Sequence, residues 1–161
     1  SGPQILVGSS MGGWIALLLA KRLPEHVAGL VGIAAAPDFT EDSMWAGMNA
    51  DLRARLTSEG LVELPSDYSD DPYVITRRLI ENGRENLVLR DPLDLPFPVR
   101  LVHGTEDADV PLHVATRLMT HALAPDMRLI VLKNADHRFS SPEALALIVR
   151  SLEEVLAATA A

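Results

Sequence analysis

A chain of 161 residues, 48% hydrophobic and 22% charged, has room for one domain-sized unit with a real core, and its composition is that of a globular protein. With 14 Lys+Arg against 22 Asp+Glu the formal charge is -8, which leaves no basic face for a phosphate backbone and argues against a nucleic-acid partner. The absence of cysteine excludes a disulfide framework, a thiolate zinc site and a cysteine nucleophile.

The longest apolar run, Trp14–Ala20, falls far short of the roughly 20 residues that cross a bilayer, and no basic segment precedes an apolar one as in a signal peptide. The chain therefore reads as soluble. Gln4–Val7 is a short apolar run that stops at Gly8, as a buried strand would. From Gly12 a segment rich in helix formers, apolar nearly all round, runs to Pro24 and is expected to be a largely buried helix. Val27–Ala36 is continuously apolar up to Pro37, which suits a parallel strand covered on both faces.

From Asp38 to Pro96 the sequence turns polar and helical, with breaks expected at Gly60, Pro65, Pro72 and Gly83, and reads as an insertion. One helix is expected near Asn49 and a second over Pro72–Asn82, with an irregular Leu61–Ser69 between them. Three X-Pro steps then enforce extended backbone. Strand and helix alternate again: strand Val99–Val102, helix Pro111–Leu123, strand Met127–Leu132 and helix Ser141–Ala157, the last capped by Ser141 with Pro142 and Glu143 in its first turn. This alternation indicates an α/β fold with a mostly parallel sheet and helices on both faces. The expected division is 1–37 and 97–161 for the core, with 38–96 as a helical cap.

Gly8-Ser9-Ser10-Met11-Gly12 fits G-x-S-x-G between a strand and a helix, the setting in which a serine on a sharp turn becomes a nucleophile. Small residues are needed two positions either side, here Gly8 and Gly12, which makes Ser10 the candidate; the alternative is a Gly/Ser turn that merely joins strand to helix. A serine hydroxyl needs a general base and the base an orienting acid. Of five histidines, His26, His113 and His121 suit solvated or packing roles, and His103 precedes every plausible acid. His137 lies just past the last strand, at the carboxyl edge where ligands bind in open α/β sheets. Glu106, Asp107 and Asp109 follow the preceding strand, and Asp107 is the preferred acid, giving the chain order Ser10, Asp107, His137.

With these motifs the chain resembles the carboxyl-terminal part of an α/β-hydrolase. His103-Gly104-Thr105-Glu106-Asp107 with Val110-Pro111 resembles the family's acid loop, and this places the acid at Asp107 and not at Asp109. Gly8–Trp14, Leu64–Ser69, Pro98–Pro111 and Asp136-His137-Arg138 are similar to the branch of mitochondrial palmitoyl-protein thioesterases and acyl-glucuronide esterases with its bacterial relatives.

The resemblance implies a serine hydrolase of acyl esters or thioesters that works through an acyl-enzyme, without cofactor or metal, on a small-molecule or acyl-protein substrate. It implies a cytoplasmic location for a bacterial-type relative, or the mitochondrial matrix for a eukaryotic one. The other readings are a non-hydrolytic ligand-binding protein of this fold and a lactonase or peptidase. The Met11 N–H would donate to the oxyanion, and a second donor is expected from amino-terminal strands that lie outside this sequence. The segment alone is accordingly expected to be poorly soluble and nearly inactive. Met44, Trp45, Met48, Leu52, Leu61, Val62 and Leu64 could line an acyl pocket or simply pack their own helices, and Arg138 could meet a substrate carboxylate or pair with an acidic side chain.

Overall fold

The computed structural model describes residues 2–65 and 71–160. The Ser66–Ser69 part of the Leu64–Ser69 motif lies outside the described residues. Two compact units emerge, one made of Ser1–Pro37 with Val88–Ala161 and the other of Asp38–Leu87.

The first unit is built on β1 (Gln4–Ser9), β2 (Val27–Ile33), β6 (Val99–Gly104) and β8 (Met127–Leu132), hydrogen-bonded in the order β1-β2-β6-β8 with every pairing parallel. In β2 the neighbours Leu30 and Val31 point to opposite faces and both are buried, so the strand is covered on both sides, as its unbroken apolar run requires. Helix α1 (Met11–Arg22) packs on β1 and β2, α4 (Leu112–His121) on β6 and β8, and α5 (Pro142–Thr159) on β2 and β6. Val31, Ile33, Val102, Phe139, Ala144 and Val155 form the core beneath α5. The Ser141 hydroxyl accepts a hydrogen bond from Ala144 N at 3.2 Å, which fixes the start of α5.

Several expectations are corrected in this unit. The strand β2 stops at Ile33 because Ala34 turns to φ 44°, outside extended backbone. Only one side of α1 is buried; Met11, Ile15, Leu19 and Leu23 recur every four residues, so they share the face turned from the sheet and are 42–50% exposed. The fourth helix ends at His121, since Ala122–Leu123 (β7) pairs in parallel with Leu93–Asp94 (β5). That pairing, with buried Leu93 and Leu95, places Val88–Pro96 in the sheet unit, so the boundary falls after Leu87 and not at Pro96.

Arg100, in the middle of β6, is 2% exposed although it carries a charge. Burial opposes that charge, but hydrogen bonds and ion pairs to the Asp126 and Glu154 carboxylates outweigh it, and its pKa lies above the ordinary arginine value.

The second unit holds a π-helix (Thr40–Trp45), α2 (Ala50–Glu59), β3 (Leu61–Leu64), β4 (Tyr73–Thr76) and α3 (Arg77–Arg84). The expected helix near Asn49 is present, with the Asn49 side chain accepting from Leu52 N at 2.9 Å. The expected Pro72–Asn82 helix is instead strand followed by helix. Tyr73-Val74-Ile75-Thr76 is aromatic and β-branched and pairs antiparallel with Leu61–Leu64, so the Leu61–Leu64 part of the stretch expected to be irregular is a strand. The helix starts only at Arg77, where the Thr76 side chain caps it by accepting from Leu79 N at 3.1 Å. Gly83 does not break it: it lies within α3, where a Cβ would collide with Thr40. Met48, Leu56, Val62, Ile75 and Ile80 are the unit's core.

Candidate active site

Ser10 sits between the end of β1 and the start of α1 with φ 51° and ψ −119°, a conformation that a residue with a Cβ rarely adopts. Neighbouring backbone holds it there. Ser10 N donates to Ile33 O at 2.9 Å, and Ser10 O accepts from Gly13 N at 3.0 Å, Trp14 N at 3.3 Å and Ala36 N at 3.1 Å. A Cβ on Gly8 would fall on the Gly12 carbonyl, so the glycine before the turn is required. The expected need for Gly12 is not met: a Cβ there has nothing within 4 Å. The second crowded position is Gly13, whose Cβ would lie 2.5 Å from the Ala35 Cβ. The turn is thus crowded one residue later than the motif suggests.

Ser10, Asp107 and His137 converge at the carboxyl ends of β1, β6 and β8. His137 Nδ1 is 2.9 Å from Asp107 Oδ2, and His137 Nε2 is 3.0 Å from Ser10 Oγ. A carboxylate can only accept, so Nδ1 carries the proton and Nε2 presents its lone pair to the serine hydroxyl. The Asp107 side chain is fully buried, and that of His137 is 19% exposed. Asp107 Oδ1 accepts from Asp109 N at 3.0 Å and Val110 N at 2.8 Å, which closes the loop around the carboxylate.

The acid and base loops are joined. Thr105 N donates to Leu132 O at 3.0 Å, Asn134 N to Thr105 Oγ1 at 2.8 Å and Glu106 N to Ala135 O at 3.0 Å. Gly104 is the point of contact, for a Cβ there would overlap the Ala135 carbonyl. The base loop is anchored by Phe139, buried in the core at φ 50°, whose N–H donates to Asp136 Oδ1 at 3.2 Å.

Donor atoms of Asp107, Asp109 and His137 come within 4.8 Å of one another, a grouping that would suit a cation. Both Asp107 oxygens and His137 Nδ1 are already committed to hydrogen bonds within the loop pair.

The other candidates take different places. Met11 is the first residue of α1, where a backbone N–H has no helical acceptor. Arg138 is exposed on the base loop. Trp45 and Met48 belong to the second unit. The Trp45 ring has the Arg84 and Arg53 guanidinium carbons 4.4 and 5.0 Å from its centroid, and Met48 is buried in that unit's core. Sequence reasoning passed over His103, which is 1% exposed at the end of β6 and contacts the acid loop. Its signal was a histidine at the end of a strand in which every residue is buried.

A model of the alpha/beta hydrolase family matches residues 1–147. The chain belongs to that family. Within the alpha/beta hydrolases it is 33% identical over 156 residues to the human palmitoyl-protein thioesterase ABHD10, mitochondrial, covering 96% of this chain and 51% of that protein. A solved structure from Agrobacterium vitis S4 superposes with a TM-score of 0.90 at 39% identity, over 94% of this chain and 60% of that one. Alpha/beta hydrolase domain-containing protein 10 from mouse superposes with a TM-score of 0.86 at 30% identity, over 97% of this chain and 62% of that one. The chain spans about half the length of the curated relatives it matches. No helix among the described residues is long and apolar enough to cross a membrane.

Proposed function

We propose that this alpha/beta hydrolase cleaves acyl esters or thioesters, with Ser10 as nucleophile, His137 as general base and Asp107 as the acid that orients it. The observation that carries the reading is the continuous relay from Ser10 Oγ through both His137 nitrogens to a buried carboxylate, with Ser10 held in strained backbone at the head of a helix. A histidine that only packed would not need its second nitrogen aimed at a serine hydroxyl.

In the reaction so assigned, His137 Nε2 takes the hydroxyl proton as Ser10 Oγ bonds to the acyl carbon. Negative charge collects on the carbonyl oxygen, and the Met11 N–H donates to it. The tetrahedral species collapses as the bond from acyl carbon to leaving oxygen or sulfur breaks. The leaving group departs as an alcohol or thiol with the proton from His137. Water then attacks the acyl-serine, His137 taking one of its protons and returning it to Ser10 Oγ as the carboxylic acid leaves. Through both halves Asp107 accepts from His137 Nδ1–H, which keeps that tautomer and stabilises the imidazolium. The thioesterase name of the human relative supports the sulfur leaving group for this chain as well.

Covalent labelling of the full chain by a fluorophosphonate, with Ser10→Ala as control, tests the assignment. Labelling that disappears in the variant, with hydrolysis of an activated acyl ester falling by about 10⁴-fold or more, is the expected result. Labelling that survives the substitution would remove Ser10 from the mechanism.

A further inference from the structure

His103 has no part in the relay, yet it is buried beside it. Its Nε2 lies 2.7 Å from Val110 O, and because a carbonyl can only accept, Nε2 must carry a proton. The same nitrogen is 3.5 Å from Asp107 Oδ2, the oxygen that receives the proton of His137 Nδ1. One imidazole nitrogen therefore lies close to both the far end of the acid loop and the carboxylate.

The Val110 backbone is gripped from two sides. Its N–H donates to Asp107 Oδ1 at 2.8 Å, while its carbonyl accepts from His103. Any drift of Val110 toward the chain's next turn would pull on Asp107 through that N–H, and His103 is the group that opposes the drift. An apolar residue of similar volume would fill the same space but leave the Val110 carbonyl without this donor in a buried setting, an arrangement that costs free energy. Packing alone gives no reason for an imidazole here.

We infer that His103 is a positioning residue, which through Val110 and the Asp107 carboxylate holds the Asp107–His137 hydrogen bond in register. The inference rests on the hydrolase reading for its kinetic consequence, though not for its structural one. With its contacts to Val110 O and Asp107 Oδ2, His103 acts through Asp107.

The test compares His103→Leu, which keeps volume and loses the donor, with His103→Gln, whose amide nitrogen reaches about as far as Nε2. Two signals are read: the low-field proton resonance of the His137 Nδ1–H bound to Asp107, and kcat and KM on an activated acyl ester. In His103→Leu the resonance should be lost or shifted, and kcat should fall by about 10- to 100-fold with KM within about twofold, the size of effect that small misplacements of catalytic groups produce. His103→Gln should restore most of both. A wild-type resonance and kcat in His103→Leu would overturn the inference, and so would equal losses in the two variants, which would mean packing alone. Should His103→Leu fail to fold, His103→Asn replaces it: its shorter amide cannot reach Val110, so it should behave as a loss where His103→Gln does not, and equal behaviour of the two would again defeat the idea. If Ser10 is not labelled and no ester is turned over, yet the resonance responds to His103 as described, the hydrolase reading fails and the positioning role stands.

Discussion

In the sheet unit every residue assigned to the relay stands just past the carboxyl end of a parallel strand, whereas in Asp38–Leu87 the side chains of Trp45 and Met48 are held by other residues of that same unit. Ser10 and His137 are 127 residues apart in sequence and 3.0 Å apart in space. Because β1, β6 and β8 run in the same direction, their ends share one edge, and each turn that follows delivers one functional group to it. The second unit has no such device. Its antiparallel pair of four-residue strands returns the chain on itself, and Trp45 finds Arg53 eight residues later and Arg84 on the closing helix. A parallel sheet turns distance along the chain into proximity, while a small antiparallel unit spends its apolar residues on its own stability.

The contrast can be broken at either end. Asp107→Asn should cost the most, about 10⁴-fold in kcat, because an amide no longer fixes the Nδ1–H tautomer of His137. Steady-state rates on an activated ester measure this, and an equal loss in Asp109→Asn would deny Asp107 the orienting role. In the second unit the largest effect should be on folding. Leu56→Ala, at a position 1% exposed, should lower stability by about 2–5 kcal/mol in thermal or denaturant unfolding, and a loss below about 1 kcal/mol would deny that Met48, Leu56, Val62, Ile75 and Ile80 form a packed core.

Two glycines sharpen the comparison within the nucleophile turn itself. Gly8→Ala forces a Cβ onto the Gly12 carbonyl and should destabilise the chain by about 1–3 kcal/mol, with Ser10 displaced and fluorophosphonate labelling slowed. The smallest change belongs to Gly12→Ala, which meets open space near the start of α1 and should alter stability by no more than about 0.5 kcal/mol. Comparable losses for the two variants would mean that the motif's outer glycine is structural after all.

Much of the sheet unit was legible because its signals are local and repeated: apolar runs ended by glycine or proline, the Ser141-Pro142-Glu143 helix start, and three turn motifs in one chain order. The meeting of Asp107 and His137 could be anticipated from their places after strands, with the family resemblance singling out Asp107 among three nearby carboxylates. What stayed hidden depends on tertiary neighbours. That Gly13 and not Gly12 is crowded follows from the approach of Ala35, and nothing in the first fourteen residues reports it. The burial of Arg100 is offset by Asp126 and Glu154, which sit 26 and 54 residues away. Pro72 reads equally well as the first residue of a helix or the lead into a strand, and β-branched Val74, Ile75 and Thr76 with a partner in Leu61–Leu64 decided for the strand. His103 looked idle because its partner is a carbonyl, and carbonyls have no sequence signature.

The three hydrogen bonds between Thr105–Glu106 and Leu132–Ala135, with Gly104 pressed against Ala135, make the acid and base loops a single clasp. Such a clasp works only as a whole. Moving His137 and its loop to another scaffold without residues 103–110 would carry over the base but not its tautomer. Conversely, substitutions on the two loops should combine non-additively in double-mutant cycles, and drift in one loop would be tolerated only alongside compensating change in the other.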